Sequence, residues 1–462
     1  MPVIVCLVLA YLLWRIFHPG LLSYDSLEQY KEAVARQFSD AHPPLMAITL
    51  SLVLAVGKGI QHVMLLQCVG GMLGVFYLAY ELVRFVFGSR FSPSRARWVA
   101  LLVLLVLLVP WSPLPFYLMT FWKDVWMLVF LCWLAGISLN LFRLASPRCT
   151  PGFLLRVAAY LVLVALIMLT RHNALVMMPV CCLLCAMFFW PIGSWRLALC
   201  AFLLPIVAYG ASRQALYASF DIRHRDIARL TYGFELVGLC IQCPEAKALL
   251  PYTASCLPEN VAERYYPGWV DYSIGAVTTT YGQRPDEIRH EYWIALRHYP
   301  LQLLRIKLRG FAFQLQRNPC LQFQCNANEP NNYGLDLNRR YAAWQDYLRR
   351  NLLRSFRQPV LQWVFTRHVL WLVLNGLAVG WLGAIACVKR AQPALQATVL
   401  LLLPLAYYLS YCVFSLAGDF RYMYPATLVM QISLLSLLVG AASRGLQSVG
   451  QRYLAPPAPQ AA

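Results

Sequence analysis

The sequence predicts an all-α polytopic membrane protein with about ten transmembrane helices, one half-inserted helix and a mostly helical extracytoplasmic domain. Composition points there first: 60% of the 462 residues are hydrophobic and only 13% are charged, whereas a soluble chain of this size needs far more charge to cover its surface. Apolar runs then recur along most of the chain, each long enough to cross a hydrocarbon core. The third observation is the formal charge, +19 and carried mainly by arginine. No basic block is large or continuous, so these arginines belong in cytoplasmic turns and at lipid headgroups, and nucleic acid is not an expected partner.

The first run, 2–17, reads as a retained helix, because His18-Pro19 follows it where a signal peptide would carry small residues. A polar stretch, 24–45, comes next and gathers Asp25, Glu28, Glu32, Asp40 and His42 in a chain otherwise short of carboxylates. The run after it, 44–56, is too short to span: at about 1.5 Å per residue it covers about 20 Å of a core about 30 Å thick. It is expected to be half-inserted or interfacial. Spanning helices follow at about 63–87, 98–111, 123–142, 156–170, 173–190, 197–212, 366–388, 394–416 and 424–442.

If 44–56 does not cross and the N-terminus lies inside, the short basic turns all fall on the cytoplasmic side. They hold Arg90, Arg95 and Arg97, then Arg143, Arg148 and Arg156, then Arg196 in the 191–196 turn, and later Lys389, Arg444 and Arg452. The same topology places 24–43, 112–123, the Arg171-His172-Asn173 turn, 213–367 and 418–422 on the outer face. The chain divides accordingly into an N-terminal transmembrane module (1–212) whose first outer loop is 18–62, an extracytoplasmic domain (213–365), C-terminal transmembrane helices (366–442) and a cytoplasmic tail (443–462). Helical patterns in the domain fall at 228–242, 285–299 and 301–315. The end of the tail, 455–462, is rich in Pro and Ala and reads as disordered.

Most of the fifteen cysteines, such as Cys6, Cys132, Cys181, Cys182 and Cys185, lie in apolar runs as small hydrophobes. Cys240, Cys243, Cys256, Cys320 and Cys325 fall instead in the polar region, where disulfides form if the compartment is oxidising; their pairing stays open. Cys240 and Cys243 have a metal-like spacing with no matching pair, so zinc is not the favoured reading.

The polar residues at helix ends carry the chemistry, since ionisable groups there are costly to desolvate and gather around wet, charged cavities. Asp25 follows the first helix, where a carboxylate can accept a proton from a hydroxyl nucleophile, hold a divalent metal or cap a helix beginning at Ser26. Asp40 and His42 precede Pro43-Pro44, which fix a bend and suit the first turn of the next helix; either side chain is also a candidate cap. Lys123-Asp124 opens a later helix, with a snorkelling lysine beside a cap as its plain alternative. Arg171, with Asn173, and Arg421, with Tyr422, sit in two tight outer turns where a guanidinium group suits phosphate oxygens. An interfacial headgroup contact is the plain reading of each arginine alone.

Together these pieces resemble the GT-C class of membrane glycosyltransferases, which includes the protein mannosyltransferases and the bacterial aminoarabinose transferases. The shared features are an acidic residue past the first helix (Asp25), a loop ending His42-Pro43-Pro44-Leu45, an Asp opening a later helix (Asp124), an Arg171-x-Asn173 turn and a late Arg421-Tyr422. The match covers the first helix to Lys123-Asp124 best. Two departures stand out: a single Asp25 where the family carries an Asp-Glu pair, and a soluble domain inserted before the eighth helix rather than appended. The resemblance implies inverting transfer of a sugar from a polyprenyl-phosphate donor to an acceptor hydroxyl on the outer face of the membrane; the absence of an N-x-S/T sequon and the excess of Arg over Lys point to a bacterial inner membrane. Asp25 is then the general base. Arg171, Arg421 and Lys123 bind the donor phosphate, and Asp40, His42, Asp124, Asn173 and Tyr422 line the pocket. The acceptor is a lipid, a glycan or a protein such as pilin. A divalent metal, Mg or Mn, on Asp25 and Asp124 stays open. The alternatives are a flippase for a lipid-linked glycan, and a glycan polymerase or ligase using His290, His298, Arg305 and Arg309.

Overall fold

A computed structural model describes residues 1–88, 91–144, 150–225, 228–265, 284–316, 330–414 and 419–454. Its main elements are α1 (Pro2–Ile16), α2 (Tyr24–Ala35), α3 (Leu45–Ala55), α4 (Ile60–Phe87), α5 (Pro93–Leu107), α6 (Leu114–Leu118), α7 (Lys123–Arg143), α8 (Pro151–Thr170), a 3-10 turn His172–Met177 leading into α9 (Met178–Phe189), and α10 (Trp195–Ser219). After these come α11 (Ala228–Gln242), α12 (Pro251–Ser255), α13 (Pro285–His298), α14 (Pro300–Gln316), α15 (Ala342–Arg357), α16 (His368–Lys389), α17 (Gln392–Val413) and α18 (Phe420–Leu454). Two strands, β1 (Phe38–Ser39) and β2 (Ile222–Arg223), pair in parallel.

The chain is an all-α membrane protein, and among the described residues 8 helices are long and apolar enough to cross a bilayer. The sequence reading counted about ten. The two that fall short are α1 and α5, each of 15 residues, or about 22 Å of rise. Helix α3, with 11 residues, is likewise too short to span, as expected of the 44–56 run. The region between α10 and α16 is mostly helical, with α11, α13 and α14 close to the expected positions. Cys240, Cys243 and Cys256 are free thiols; Cys320, Cys325 and the tail 455–462 lie outside the described residues.

Helix α4 runs through the middle of the bundle, against α1, α5, α7 and α18. Small residues let α4 and α7 approach closely, which is how helices associate where no hydrophobic drive separates lipid from protein. A Cβ on Gly136 of α7 would lie 2.6 Å from the Tyr77 ring, and one on Gly74 of α4 would lie 3.1 Å from Trp133. The Trp133 indole stacks on Tyr77 and donates to the Gly70 carbonyl at 3.0 Å. At one end of this pair, buried Glu81 takes Arg143 at 2.7 Å and Asn140 at 2.9 Å. Helices α10 and α16 bury only 17% and 11% of their spanning windows, so both offer most of their surface to lipid.

A second, smaller core sits outside this bundle: Phe234, Leu236 and Leu239 of α11 pack on Ile288 and Ala295 of α13 and on Leu303 and Ile306 of α14. Farther along α14, Phe311 and Leu315 belong to the main transmembrane core. That one helix therefore passes from the outer layer into the bundle.

The tight α4–α7 seam predicts that Gly136→Leu overpacks it, costing about 1–3 kcal/mol and lowering the thermal unfolding midpoint in detergent. Gly376→Ala, at a position with nothing within 4 Å, leaves the midpoint unchanged in the same measurement.

Candidate active site

The segment after α1 is pinned beside the start of α7. Leu21 bridges to Thr120: its N–H donates to the Met119 carbonyl at 2.7 Å, and its carbonyl accepts from the Phe121 N–H at 3.0 Å. Gly20 makes the approach possible, since its φ of +132° suits no side chain and a Cβ there would meet Met64 at 2.7 Å. Gln67 of α4 holds the other side of the junction by donating to the carbonyls of Leu118 and Thr120. Helix α2 then starts with a capping box of Ser23 and Ser26. Ser26 Oγ also donates to the Phe121 carbonyl at 2.7 Å, and the Trp122 indole donates to Ser23 Oγ at 2.9 Å.

Because Ser23 is the cap, Asp25 is free of that duty. Its carboxylate meets Arg421 Nη2 at 2.6 Å, joining the first loop to the first turn of α18. Arg421 Nε reaches Asp419 at 2.9 Å, and the Arg421 carbonyl accepts from the Tyr117 hydroxyl at 2.8 Å. Partial burial alone would push the Asp25 pKa up. The charges on Arg421 and Lys123 outweigh it and hold this carboxyl well below the usual carboxylate range.

Arg171 closes the end of α8 and pairs with Asp124, which is fully buried in the first turn of α7. Its Nε donates to Asn173 Oδ1 at 3.2 Å, and Asn173 Nδ2 donates to Ser410 Oγ at 2.8 Å. The Tyr422 ring lies close to both arginines, 4.8 Å from Arg171 and 5.0 Å from Arg421. Tyr411 stacks on Tyr422 and meets Arg171 as well, while Trp122 covers Arg421 at 4.9 Å. Aromatic faces thus replace part of the water that both cations lose on burial.

Lys123 completes the cluster. Its ammonium donates to His42 Nδ1 at 2.9 Å, and among the described residues no carboxylate oxygen lies within salt-bridge distance of it. The neighbouring Lys123 charge, with burial, pushes the His42 pKa down to about 3, so the ring is neutral and accepts through Nδ1.

Asp25, His42, Lys123, Asp124, Arg171, Asn173, Arg421 and Tyr422 therefore meet in one network at one end of the bundle. Asp40 stands at its edge. Its carboxylate accepts from the Arg225 N–H and from His224 Nδ1, both at 2.5 Å, where β1 and β2 pair. Only its carbonyl turns inward, accepting from His172 Nε2 at 3.1 Å. Neither Asp40 nor His42 caps α3, which begins at Pro44 without a side-chain cap. Asp419, Tyr411 and Trp122 are additions to the expected set. Asp419 shares the Arg421 motif, whereas Tyr411 lies inside an apolar run with nothing local to single it out.

Among the described residues no group of three or more His, Cys, Asp or Glu side chains is placed to hold a metal ion. Asp25 and Asp124 each face a guanidinium group, Arg421 and Arg171 respectively. His290, His298, Arg305 and Arg309 are exposed on α13 and α14. Comparison with family models, with curated proteins and with solved structures gives no match to this chain.

The buried Asp124–Arg171 pair predicts that Asp124→Ala strands a desolvated guanidinium group and costs about 3–5 kcal/mol, read as a lowered unfolding midpoint in detergent. His42 predicts a pH effect of definite sign. An unfolded histidine binds its proton near pH 6.5, and the folded ring resists protonation down to about pH 3. Between those values the unfolded state holds more protons, so stability rises with pH. His42→Gln should flatten that slope between pH 4 and 6.5.

Proposed function

We propose that this integral membrane protein is a GT-C-type glycosyltransferase, moving a sugar from a polyprenyl-phosphate donor to an acceptor hydroxyl at the outer face of a bacterial inner membrane. The observation that supports it best is the convergence of Asp25 with Lys123, Arg171 and Arg421 at the ends of four separate helices. A carboxylate beside cationic side chains suits a reaction that removes a proton from an alcohol and releases a phosphate; Asp124 and Asp419, the other carboxylates of the cluster, are each paired with an arginine. The opposite end of the bundle, where Arg84, Arg95 and Arg143 cluster, agrees with a cytoplasmic location for that end.

In this reading Asp25 takes the proton of the acceptor hydroxyl as its oxygen attacks the anomeric carbon. The bond from that carbon to the phosphate oxygen breaks, and its electron pair leaves with the polyprenyl phosphate. One displacement inverts the anomeric centre. Lys123 is the first phosphate ligand because no carboxylate neutralises it, and Arg171 and Arg421 stabilise the charge that develops on the leaving group. His42 orients the Lys123 ammonium, Asn173 orients Arg171, and the Tyr422 ring packs beside both guanidinium groups. Asp124 holds Arg171 in place.

The Asp25–Arg421 ion pair bears directly on the base. A carboxylate held far below its ordinary pKa is a weak proton acceptor. The donor phosphate competes for Arg421, and each step of that guanidinium group toward phosphate returns basicity to Asp25. The base is thus strengthened when the donor is bound.

Asp25→Asn is expected to abolish transfer from a polyprenyl-phosphate sugar in nanodiscs while leaving membrane insertion intact; near-wild-type turnover would remove Asp25 as the base. Arg421→Ala should raise KM for the donor at least tenfold, and an unchanged donor dependence counts against phosphate binding there. Because the donor draws Arg421 away, the acidic limb of kcat should lie at higher pH than that of kcat/KM. Coincident limbs would show that the ion pair stays closed during turnover.

A further inference from the structure

Helices α13 and α14 expose an apolar ridge on the face turned away from the outer core. Trp293 is 56% exposed and Leu296 38%; along α14, Leu301 is 75%, Leu304 48% and Leu308 47% exposed. The three leucines recur at spacings of three and four, so they form one stripe on the helix. Arg305 and Arg309 are exposed one residue on from Leu304 and Leu308, along the flank of that stripe. A cleft of about 620 Å³ opens between Gln242 and the Arg305, Leu308 and Arg309 side chains.

The position of α14 supplies the occupant. Its middle and far residues pass from the outer core at Leu303 and Ile306 to the transmembrane core at Phe311 and Leu315. Between them, Lys307 donates to the carbonyl of Val413, the last residue of α17, at 3.3 Å. The helix also packs against α16, only 11% of whose spanning window is buried. The ridge therefore lies beside a helix face that is open to a bilayer, near the level where α17 ends. An apolar stripe with a tryptophan and flanking arginines is the composition of a helix lying in the headgroup layer, leucines toward the acyl chains and arginines toward phosphate.

We infer that the α13–α14 ridge is a lipid-binding surface that seats the outer layer of the protein in the bilayer interface and selects anionic headgroups through Arg305 and Arg309. It does not use the site residues and does not depend on the proposed reaction. The test places a photo-crosslinking phenylalanine at Leu304, and separately at Leu308, in full-length protein in nanodiscs of mixed phosphatidylglycerol and phosphatidylcholine. Adducts are identified by mass spectrometry. Phospholipid adducts at both positions, enriched in phosphatidylglycerol, are expected. Arg305→Glu and Arg309→Glu should each lower that enrichment about fivefold. Crosslinks to a second copy of the chain, or no lipid adduct while the same probe at lipid-facing Trp381 labels normally, would overturn the inference. Equal labelling of both lipids, unaffected by the arginine variants, would overturn the selection of anionic headgroups. The readout needs no turnover, so an inactive preparation and an absent lipid contact are told apart.

Discussion

Two arginines buried beside one tyrosine ring set the terms for the rest of the site. Arg171 and Arg421 both lose most of their water, a cost of several kcal/mol per ion. Each is offset by an aspartate from another element: Asp124 from α7, and Asp25 from the segment after α1, with Asp419 adding to the second. The first pair forms only when the start of α7 meets the end of α8, and the second only when the start of α2 meets the start of α18. The charges thus do more than decorate the helix ends, because they define which ends meet. The Tyr422 ring is close to both guanidinium groups, so one aromatic side chain serves both cations.

Much of this was readable in the sequence. Apolar runs gave the helices, since the penalty for unpaired backbone in lipid leaves few alternatives. Asp25, Lys123, Asp124, Arg171 and Arg421 stood out as charges where apolar chain resumes or ends, and these do meet. Asp40 was harder. Its sequence context next to Pro43-Pro44 is like that of a pocket residue, but its carboxylate answers to His224 and the Arg225 amide, partners some 184 positions away that no local pattern announces. Tyr411 is similarly silent, one aromatic among many until α17 folds against α9 and the arginine turn. The count of spans was blurred for a simpler reason: hydropathy marks apolar chain but not where a helix stops, and α5 ends at Leu107 before the Pro110-containing turn.

Asp25 also shows why residue type alone does not assign a role. A lone acid at the start of a helix suggests a cap, a metal ligand or a base. Ser23 removes the first of these by capping α2 itself, and Arg421 decides how the carboxylate titrates. The same ion pair that gathers the site weakens the side chain as a proton acceptor, so assembly and reactivity are coupled through a single guanidinium group.

The far end of the bundle carries a different message. Glu81, Asn140 and Arg143 clasp α4 to α7 there, and Arg95 ties α5 to Ser443 of α18. Beneath the charged cluster the interior is plugged by Phe116, Tyr117, Phe121 and Tyr424, all essentially inaccessible. The interior beside the charged cluster is thus filled by aromatic rings, while the contacts at the far end tie α4 to α7 and α5 to α18.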